Sequence, residues 1–286
     1  MANAPDPKTD SRLNVAEPSS TPIVMQVSAG VAALRTSPSP DAIMTSQALH
    51  GERVELHRED GEYGFVQCTR DKYTGWVLLA ALSAPVLETT HRVSALRTYA
   101  YSEPDLKSPP HYLLSLNAEI VQSGEQDGYI KDSRGGWVSR KHLVPASEFG
   151  DDPALIAERF VGTPYLWGGR ESLGLDCSGL TIAAYEACGV LLPRDSDMQR
   201  AWCGEEIQNW DQPGALERGD LVFWKGHVGI MTGDTDVIHS NAYHMATAKE
   251  PLSGAVERIA KHYGEPIGAR RIEITKERAR PFWLGN

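Results

Sequence analysis

With 286 residues, 41% of them hydrophobic and 23% charged, the chain can bury one large core or several small ones, which excludes wholesale disorder. Its formal net charge of -10 argues against nucleic acid and anionic membranes as partners, because both bind basic surfaces. Four scattered cysteines are too few for a disulfide framework.

The sequence contains no apolar run of about 18 residues that could span a membrane. The N-terminus, "MANAPDPKTDSRLN", lacks the apolar segment of a secretory signal peptide. We therefore expect a cytoplasmic protein with reduced thiols. A periplasmic protein whose leader had been removed would have the same sequence.

Residues 1–22 are rich in Pro, Ser, Asp and Ala, which predicts a flexible N-terminal arm. An internal repeat follows, in which "GVAALRT" from residue 30 is echoed by "RVSALRT" from residue 92, and both copies end on Gly-Trp-Val. Each copy consists of short alternating segments separated by turn residues, a pattern typical of small β-barrels. The predicted barrel domains are residues 23–85 and 86–147.

Residues 148–286 have a different pattern. "DPALIAERFV" predicts a helix with Asp151 or Asp152 as N-cap, and "SGLTIAAYEACGV" predicts a buried helix that Gly189 ends. The segments "GDLVFWK", "HVGIMTG", "DVIHSNA" and "IGARRIE" predict strands of one sheet. This order of elements predicts an α+β fold.

Cys177 opens the second of these helices, after the glycine-rich segment "YLWGGRESLGLD". Free N–H groups and the helix dipole stabilise a thiolate at that position, and a thiolate is a strong nucleophile. Gly179 allows close approach of a ligand or of another chain segment. The alternative is a buried core thiol, as is usual for free cysteines and as we expect for Cys68, Cys188 and Cys203.

A nucleophilic cysteine needs a base, usually a histidine, that a third group orients. His227 and His239 occur at the ends of apolar strands, where side chains often line a cleft. The alternative is that both are structural histidines. The Cys and His spacings match no zinc-ligand pattern, so we expect neither a metal nor a cofactor.

The two repeats resemble bacterial SH3 (SH3b) domains in the order of their strands and in the final Gly-Trp-Val with its short helical turn. The segments "PYLWGG", "DCSGL", "LPRDSDMQ", "GDLVFW", "HVGIM" and "VIHS" resemble, in the same order, the NlpC/P60 family of cell-wall cysteine peptidases. This resemblance implies a papain-like α+β catalytic domain. It also implies that Cys177 is the nucleophile, His227 the base and acid, and His239 the residue that orients His227. Tyr165 matches a tyrosine that contributes to the oxyanion hole.

The combination of SH3b and peptidase domains resembles the YkfC-like γ-D-glutamyl-L-diamino acid endopeptidases (dipeptidyl-peptidase VI type). This implies cleavage of free peptidoglycan stem peptides that start with L-Ala, for recycling of the cell wall, with an SH3b domain closing the cleft. In that reading Asp195 and, more weakly, Glu52 bind the peptide's ammonium group, and Tyr73 is the aromatic side chain that the first SH3b domain projects into the site. The remaining pocket residues are Trp167, Ser178 and Ser196, and the two serines and Arg194 are candidates to bind the D-Glu carboxylate, although an ion pair is the stronger expectation for Arg194.

Three alternatives stay open: an exported hydrolase of intact peptidoglycan that uses the SH3b pair to bind the wall, a non-enzymatic muropeptide sensor, and an acyltransferase. The sequence does not decide between L-Lys and meso-diaminopimelate in the substrate. It also leaves the oligomeric state open.

Overall fold

The computed structural model describes residues 5–275 and 280–285. The first four residues of the predicted arm, and residues 276–279 and 286 of the predicted peptidase domain, lie outside these ranges. The chain divides into two compact units, and each is described by itself. The N-terminal unit comprises Ser11–Glu148 with Arg170–Ser172, and the C-terminal unit comprises the other described residues. Within the described ranges, no helix is both long enough and apolar enough to cross a membrane.

The N-terminal unit begins with seven short strands. They are β1 (Ile23–Val27), β2 (Val31–Arg35), β3 (Met44–Leu49), β4 (Arg53–Asp60), β5 (Tyr63–Cys68), β6 (Thr74–Leu78) and β7 (Leu82–Ser83). They pair in the order β3-β2-β6-β5-β4-β1-β7, and every pairing is antiparallel. Burial alternates along β2 and β6, as expected for a sheet with one face on a core.

Eight further strands form the second half of this unit. They are β8 (His91–Val93), β9 (Arg97–Tyr101), β10 (Pro110–Ser115), β11 (Glu119–Ile120), β12 (Gln122–Gln126), β13 (Tyr129–Asp132), β14 (Trp137–Ser139) and β15 (Leu143–Pro145). Their two sheets have the orders β10-β9-β14-β13-β12 and β11-β8-β15. This is the order of the first sheet, with β11 and β12 together in the place of β4. The sequence repeat therefore corresponds to one topology used twice.

Part of the predicted arm contacts the first sheet. The side-chain amide of Gln67 donates to the carbonyl of Leu13 at 2.6 Å, and the N–H of Thr74 donates to the carbonyl of Arg12 at 2.9 Å. Leu13 is buried, and removing its apolar side chain from water stabilises this contact. The expectation of a flexible arm is therefore wrong for residues 12 and 13.

The described part of the C-terminal unit contains four α-helices: α1 (Pro153–Glu158), α2 (Cys177–Ala187), α3 (Ser196–Trp202) and α4 (Leu252–Tyr263). Asp152 caps α1 by accepting from the N–H of Leu155 at 3.0 Å. Helix α2 ends before Gly189. The φ of Gly189 is 81°, a left-handed conformation that glycine adopts far more readily than other residues. Helices α1 and α2 confirm the sequence prediction, whereas α3 and α4 were not predicted.

The sheet of the C-terminal unit is antiparallel. Two strands of two residues each precede it in the chain: β16 (Arg170–Glu171), which belongs to the N-terminal unit, and β17 (Gly174–Leu175). Among the residues that the structure describes, the sheet has six strands: β18 (Glu205–Glu206), β19 (Leu221–Trp224), β20 (His227–Met231), β21 (Asp236–Asn241), β22 (Ala246–Pro251) and β23 (Gly268–Arg271). They pair in the order β18-β23-β19-β20-β21-β22. The four predicted strands correspond to β19, β20, β21 and β23, so the predicted α+β fold is confirmed.

Helix α4 packs on this sheet through Ala255 and Ile259, which share a buried cluster with Val222, Met231 and Val237. Removing such side chains from water stabilises the unit by roughly 1.5–3 kcal/mol for each fully buried Val or Ile. The packing brings α4 next to the strands that carry His227 and His239.

Candidate active site

Cys177 is the first residue of α2, and the N-cap of this helix is Asp176. The Asp176 carboxylate accepts from the N–H of Gly179 at 2.7 Å and from the N–H of Gly168 at 2.9 Å. The guanidinium of Arg194 donates to both carboxylate oxygens, at 2.6 and 3.1 Å. Asp176 thus fixes the start of the helix, and with it the position of Cys177.

Gly179 lies one turn into α2, against the glycine-rich segment. A Cβ at this position would overlap the carbonyl oxygen of Gly169. The prediction that Gly179 permits close approach is confirmed, and the approaching group is the segment that leads to the cysteine.

The thiol of Cys177 is buried, and burial raises its pKa. The Asp176 charge raises the pKa further, whereas the backbone N–H groups of Val228 and Ser178, together with Arg194, act in the opposite direction. Burial outweighs the helix terminus, so the pKa of the Cys177 thiol lies above its ordinary value although the thiol is at the start of a helix. Cys177 needs a base to become a nucleophile.

His227 and His239 are hydrogen bonded to each other. Nε2 of His227 lies 2.8 Å from Nδ1 of His239. In the register of β20 and β21, Gly229 is opposite His239, so His227 is a diagonal neighbour of His239 on the same face of the sheet. The third group that the sequence predicted beside the base is therefore present at hydrogen-bonding distance.

The hydrogen-bonded chain continues to Glu250 on β22, a residue that sequence reasoning missed. Nε2 of His239 lies 2.7 Å from Oε1 of Glu250, and the guanidinium of Arg258 on α4 donates to the same oxygen. The register pairs His239 with Ala248, so Glu250 is again a diagonal neighbour. The only sequence signal for Glu250 is the weak alternation of "ATAKEP", which did not predict a strand.

Burial lowers the pKa of both His227 and His239. For His239 the hydrogen bond and the charge of Glu250 act in the opposite direction without reversing the shift. The pKa of Glu250 is lowered, although burial opposes this, because His239 and Arg258 favour its charged form. At neutral pH the resting site therefore combines a protonated thiol, two neutral imidazoles and an ionised carboxylate.

Tyr165 is held by its backbone, since its N–H donates to the carbonyl of Met245 at 2.9 Å and it forms a bridge with Leu175. Burial raises the pKa of its hydroxyl, and the nearby Cys177 and Asp176 raise it further. The hydroxyl is therefore a hydrogen-bond donor at neutral pH. A donor close to the nucleophile is the chemistry that an oxyanion hole requires.

The other predicted binding residues of the C-terminal unit have different environments. Trp167 is 63% exposed, Asp195 is half-buried at the start of α3, and Ser196 is buried. The hydroxyl of Ser178 donates to Asp176 at 3.2 Å and accepts from Arg194 at 2.8 Å. The Ser178 hydroxyl therefore donates its proton to Asp176, whereas the sequence predicted that it would donate to the D-Glu carboxylate of the substrate. Arg194 forms the structural ion pair that was the stronger expectation for it.

Tyr73 and Glu52 belong to the N-terminal unit. Tyr73 is buried, and its N–H donates to Asp71 at 3.0 Å. The Glu52 carboxylate accepts hydrogen bonds from both terminal nitrogens of Arg170, at 2.9 and 3.2 Å. Glu52 therefore has a guanidinium partner where an ammonium of the substrate was expected.

One group of side chains among the described residues has the composition of a metal site, namely His239, His244 and Glu250, whose donor atoms lie within 4.8 Å of one another. Arg258 and His239 already donate to one oxygen of Glu250. A cation would have to displace a guanidinium from this carboxylate, so the arrangement fits a metal poorly. The absence of a metal requirement stays a prediction.

Comparison with known proteins bears on the same residues. The pattern of the NlpC/P60 family matches residues 162–263, and that of the bacterial dipeptidyl-peptidase SH3 domain matches residues 34–82. The chain is 27% identical over 240 residues to dipeptidyl-peptidase 6 of Lysinibacillus sphaericus, which covers 75% of this chain and 86% of that protein. It is 28% identical over 228 residues to the γ-D-glutamyl-L-lysine dipeptidyl-peptidase of Bacillus subtilis, covering 70% and 73% of the two chains.

A probable endopeptidase NlpC homolog of Haemophilus influenzae is 32% identical over 136 residues, which cover 46% of this chain and 72% of that protein. The crystal structure of an NlpC/P60 family protein from Bacillus cereus has the same fold, with a TM-score of 0.72 at 22% identity over 87% of this chain and 99% of the other. Tyr165, Cys177, His227 and His239, to which the resemblance assigns catalytic roles, all lie within the matched region. The chain is thus a peptidase of the NlpC/P60 family with an N-terminal bacterial dipeptidyl-peptidase SH3 domain.

Proposed function

We propose that this peptidase hydrolyses the bond between γ-D-glutamate and the diamino acid in short peptidoglycan stem peptides that begin with a free L-alanine, and that it serves the recycling of cell-wall peptides. The observation that carries the proposal is the hydrogen-bonded pair His227–His239 beside the helix that begins with Cys177. The substrate class follows from the names of the Lysinibacillus and Bacillus relatives. The cytoplasmic location stays a prediction.

The first step forms a thioester. His227 takes the thiol proton on Nδ1, since its Nε2 is bonded to His239, and the sulfur attacks the γ-glutamyl carbonyl. The oxyanion accepts hydrogen bonds from the Tyr165 hydroxyl and from the N–H of Ser178. The imidazolium then protonates the nitrogen of the diamino acid, which leaves as a free amine.

The second step uses water. Neutral His227 takes a proton from the water as it attacks the thioester, and returns that proton to the sulfur as the thiol leaves. The products are the dipeptide L-Ala-γ-D-Glu and the remainder of the stem peptide. Atoms balance without a metal or a cofactor.

We assign the ammonium of the substrate to Asp195. Its side chain is half-buried at the start of α3, whereas Asp197 in the same helix is exposed. A hydrogen bond between a carboxylate and an ammonium contributes roughly 1.5–3 kcal/mol, so losing it raises KM by about ten- to hundredfold. The contribution of Tyr73 stays a prediction, and Tyr73→Phe tests it by the same measurement.

The experiment measures by mass spectrometry the cleavage of L-Ala-γ-D-Glu-L-Lys, of its meso-diaminopimelate counterpart and of the N-acetylated peptides. We expect cleavage of the free peptides alone, a raised KM in Asp195→Asn, and an unchanged KM in the control Asp197→Asn. Equal cleavage of acetylated peptides would contradict recognition of a free amino group. No cleavage of any peptide would contradict the proposed activity and favour the sensor or the acyltransferase.

A further inference from the structure

Glu250 has no part in the chemistry described so far, yet two cationic or polar side chains converge on it. His239 and Arg258 both bond its Oε1, and the Glu250 side chain is 17% exposed. His244 is a further titratable neighbour, with Nδ1 at 3.9 Å from the same oxygen. Arg258 is in turn stacked on Tyr243, its guanidinium carbon 4.2 Å from the ring centre. The carboxylate is therefore held from two sides.

The position of Glu250 determines the protons on both histidines. An ionised carboxylate only accepts hydrogen bonds, so Nε2 of His239 carries its proton. In a neutral imidazole the other nitrogen is then an acceptor, and Nδ1 of His239 accepts from Nε2–H of His227. The same rule leaves Nδ1 of His227 without a proton.

We propose that Glu250, held in place by Arg258, is a positioning residue that selects through His239 the tautomer of His227 whose Nδ1 can take the proton of Cys177. The proposal rests on the assignment of Cys177 as nucleophile and His227 as base in the proposed function. It extends the predicted three-residue site to a four-residue chain that ends on a strand which the sequence did not predict.

Glu250 also affects the charged form of the site. Once His227 takes the thiol proton, a positive charge develops on a chain of hydrogen bonds that ends at the carboxylate. Without the carboxylate, that charge is stabilised less and His239 adopts either tautomer. We therefore expect formation of the Cys177 thiolate to become less favourable, although Glu250 touches neither the sulfur nor the substrate.

The first test measures the rate at which iodoacetamide alkylates Cys177 at pH 7, with the modified residue located by peptide mass spectrometry. We expect Glu250→Gln to slow alkylation by about ten- to hundredfold, the usual scale for charged hydrogen bonds and for residues that orient a functional histidine. The matched control is Glu158→Gln. Glu158 is also partly buried and paired with two cations, Arg218 and Lys249, but it bonds no histidine among the described residues.

We expect the control to alkylate within about twofold of the unchanged protein. An unchanged rate in Glu250→Gln, or an equal loss in both variants, would overturn the proposal. The thermal transition of each variant, followed by circular dichroism, shows that the comparison is made between folded proteins.

The second test needs no variant at Glu250. In ¹⁵N NMR spectra of the full-length protein, with signals assigned through His227→Gln and His239→Gln, we expect both imidazoles to carry their proton on Nε2. A proton on Nδ1 of His227 would overturn the proposal, even if Glu250→Gln failed to fold.

Neither test uses a peptide substrate, so the two proposals fail separately. Slower alkylation in Glu250→Gln and protons on Nε2 of both histidines, together with no peptide cleavage, would refute the proposed activity alone. Cleavage of the predicted peptides, with Glu250→Gln alkylating as fast as the unchanged protein, would refute the role of Glu250 alone.

Discussion

Replacing Arg194 with methionine tests whether its ion pair with Asp176 fixes the start of α2. The Arg194 side chain is 1% exposed, and its Asp176 partner is 8% exposed. Methionine has a similar length and no charge, so the substitution leaves the Asp176 carboxylate buried without its cation. Removing one partner of a buried ion pair costs about 3–5 kcal/mol. Asp176 keeps hydrogen bonds from Gly168, Gly179 and Ser178, which favours the lower end of that range, about 3 kcal/mol.

Urea unfolding and thermal unfolding followed by circular dichroism measure this loss. At roughly 2–4 °C per kcal/mol, Arg194→Met should lower Tm by about 6–12 °C. The control is Arg218→Met, because Arg218 is 34% exposed and pairs with Asp152 and Glu158. We expect the control to lose about 1 kcal/mol or less. A loss in Arg194→Met no larger than in the control would refute the inference that this pair fixes the start of α2.

Three further predictions concern the reaction, the packing and the pH dependence. Tyr165→Phe removes the oxyanion donor and should lower kcat by about 10²-fold with little change in KM; unchanged steady-state kinetics would contradict that role. In urea unfolding, Gly179→Ala should destabilise by about 1–3 kcal/mol, because its Cβ overlaps the Gly169 carbonyl, whereas Gly254→Ala in α4 meets nothing within 4 Å and should stabilise by about 0.5–1 kcal/mol; equal effects would refute the packing argument. Folding lowers the pKa values of His227 and His239, so the unfolded chain binds more protons than the folded one just below pH 6.5. The free energy of unfolding should therefore fall as pH drops below about 6.5. His227→Asn should flatten this slope between pH 7 and pH 5, and an unaltered slope would contradict the lowered pKa.

The sequence predicted correctly the helix and strands that carry the candidate site, because their signals are local. Cys177 opens a helix after a glycine-rich segment, and His227 and His239 lie near the ends of predicted strands. Each signal is contained in a few neighbouring residues, so no knowledge of the fold was needed. His227 and His239 are hydrogen bonded to each other, as a base and the residue that orients it would be, and their catalytic roles stay predictions.

The residues that the sequence missed or misjudged depend on partners distant along the chain. Glu52 pairs with Arg170, which follows it by 118 residues. The sequence alone does not distinguish a glutamate paired in this way from one that is free to bind a ligand. Glu250 reaches His239 only through the register between β21 and β22. No local pattern predicts such a contact, because strand register is fixed by the packing of the whole sheet.

The protonation state of Cys177 illustrates a different difficulty. The helix terminus that favours a thiolate is visible in the sequence, whereas the burial that opposes it results from the folded unit. The sequence therefore predicted correctly that a helix begins at Cys177, whereas the burial that raises the pKa of its thiol has no signal in the sequence. The consequence is mechanistic, since a buried thiol depends on the histidine for its activation.

The most direct test of the account is to trap the acyl-enzyme. The protein is mixed with L-Ala-γ-D-Glu-L-Lys, quenched with acid within milliseconds, digested and analysed by mass spectrometry. We expect an L-Ala-γ-D-glutamyl thioester on the peptide that contains Cys177, and neither adduct nor cleavage in Cys177→Ala. Cleavage by Cys177→Ala, or an adduct on another residue, would contradict the assignment of Cys177 as the nucleophile.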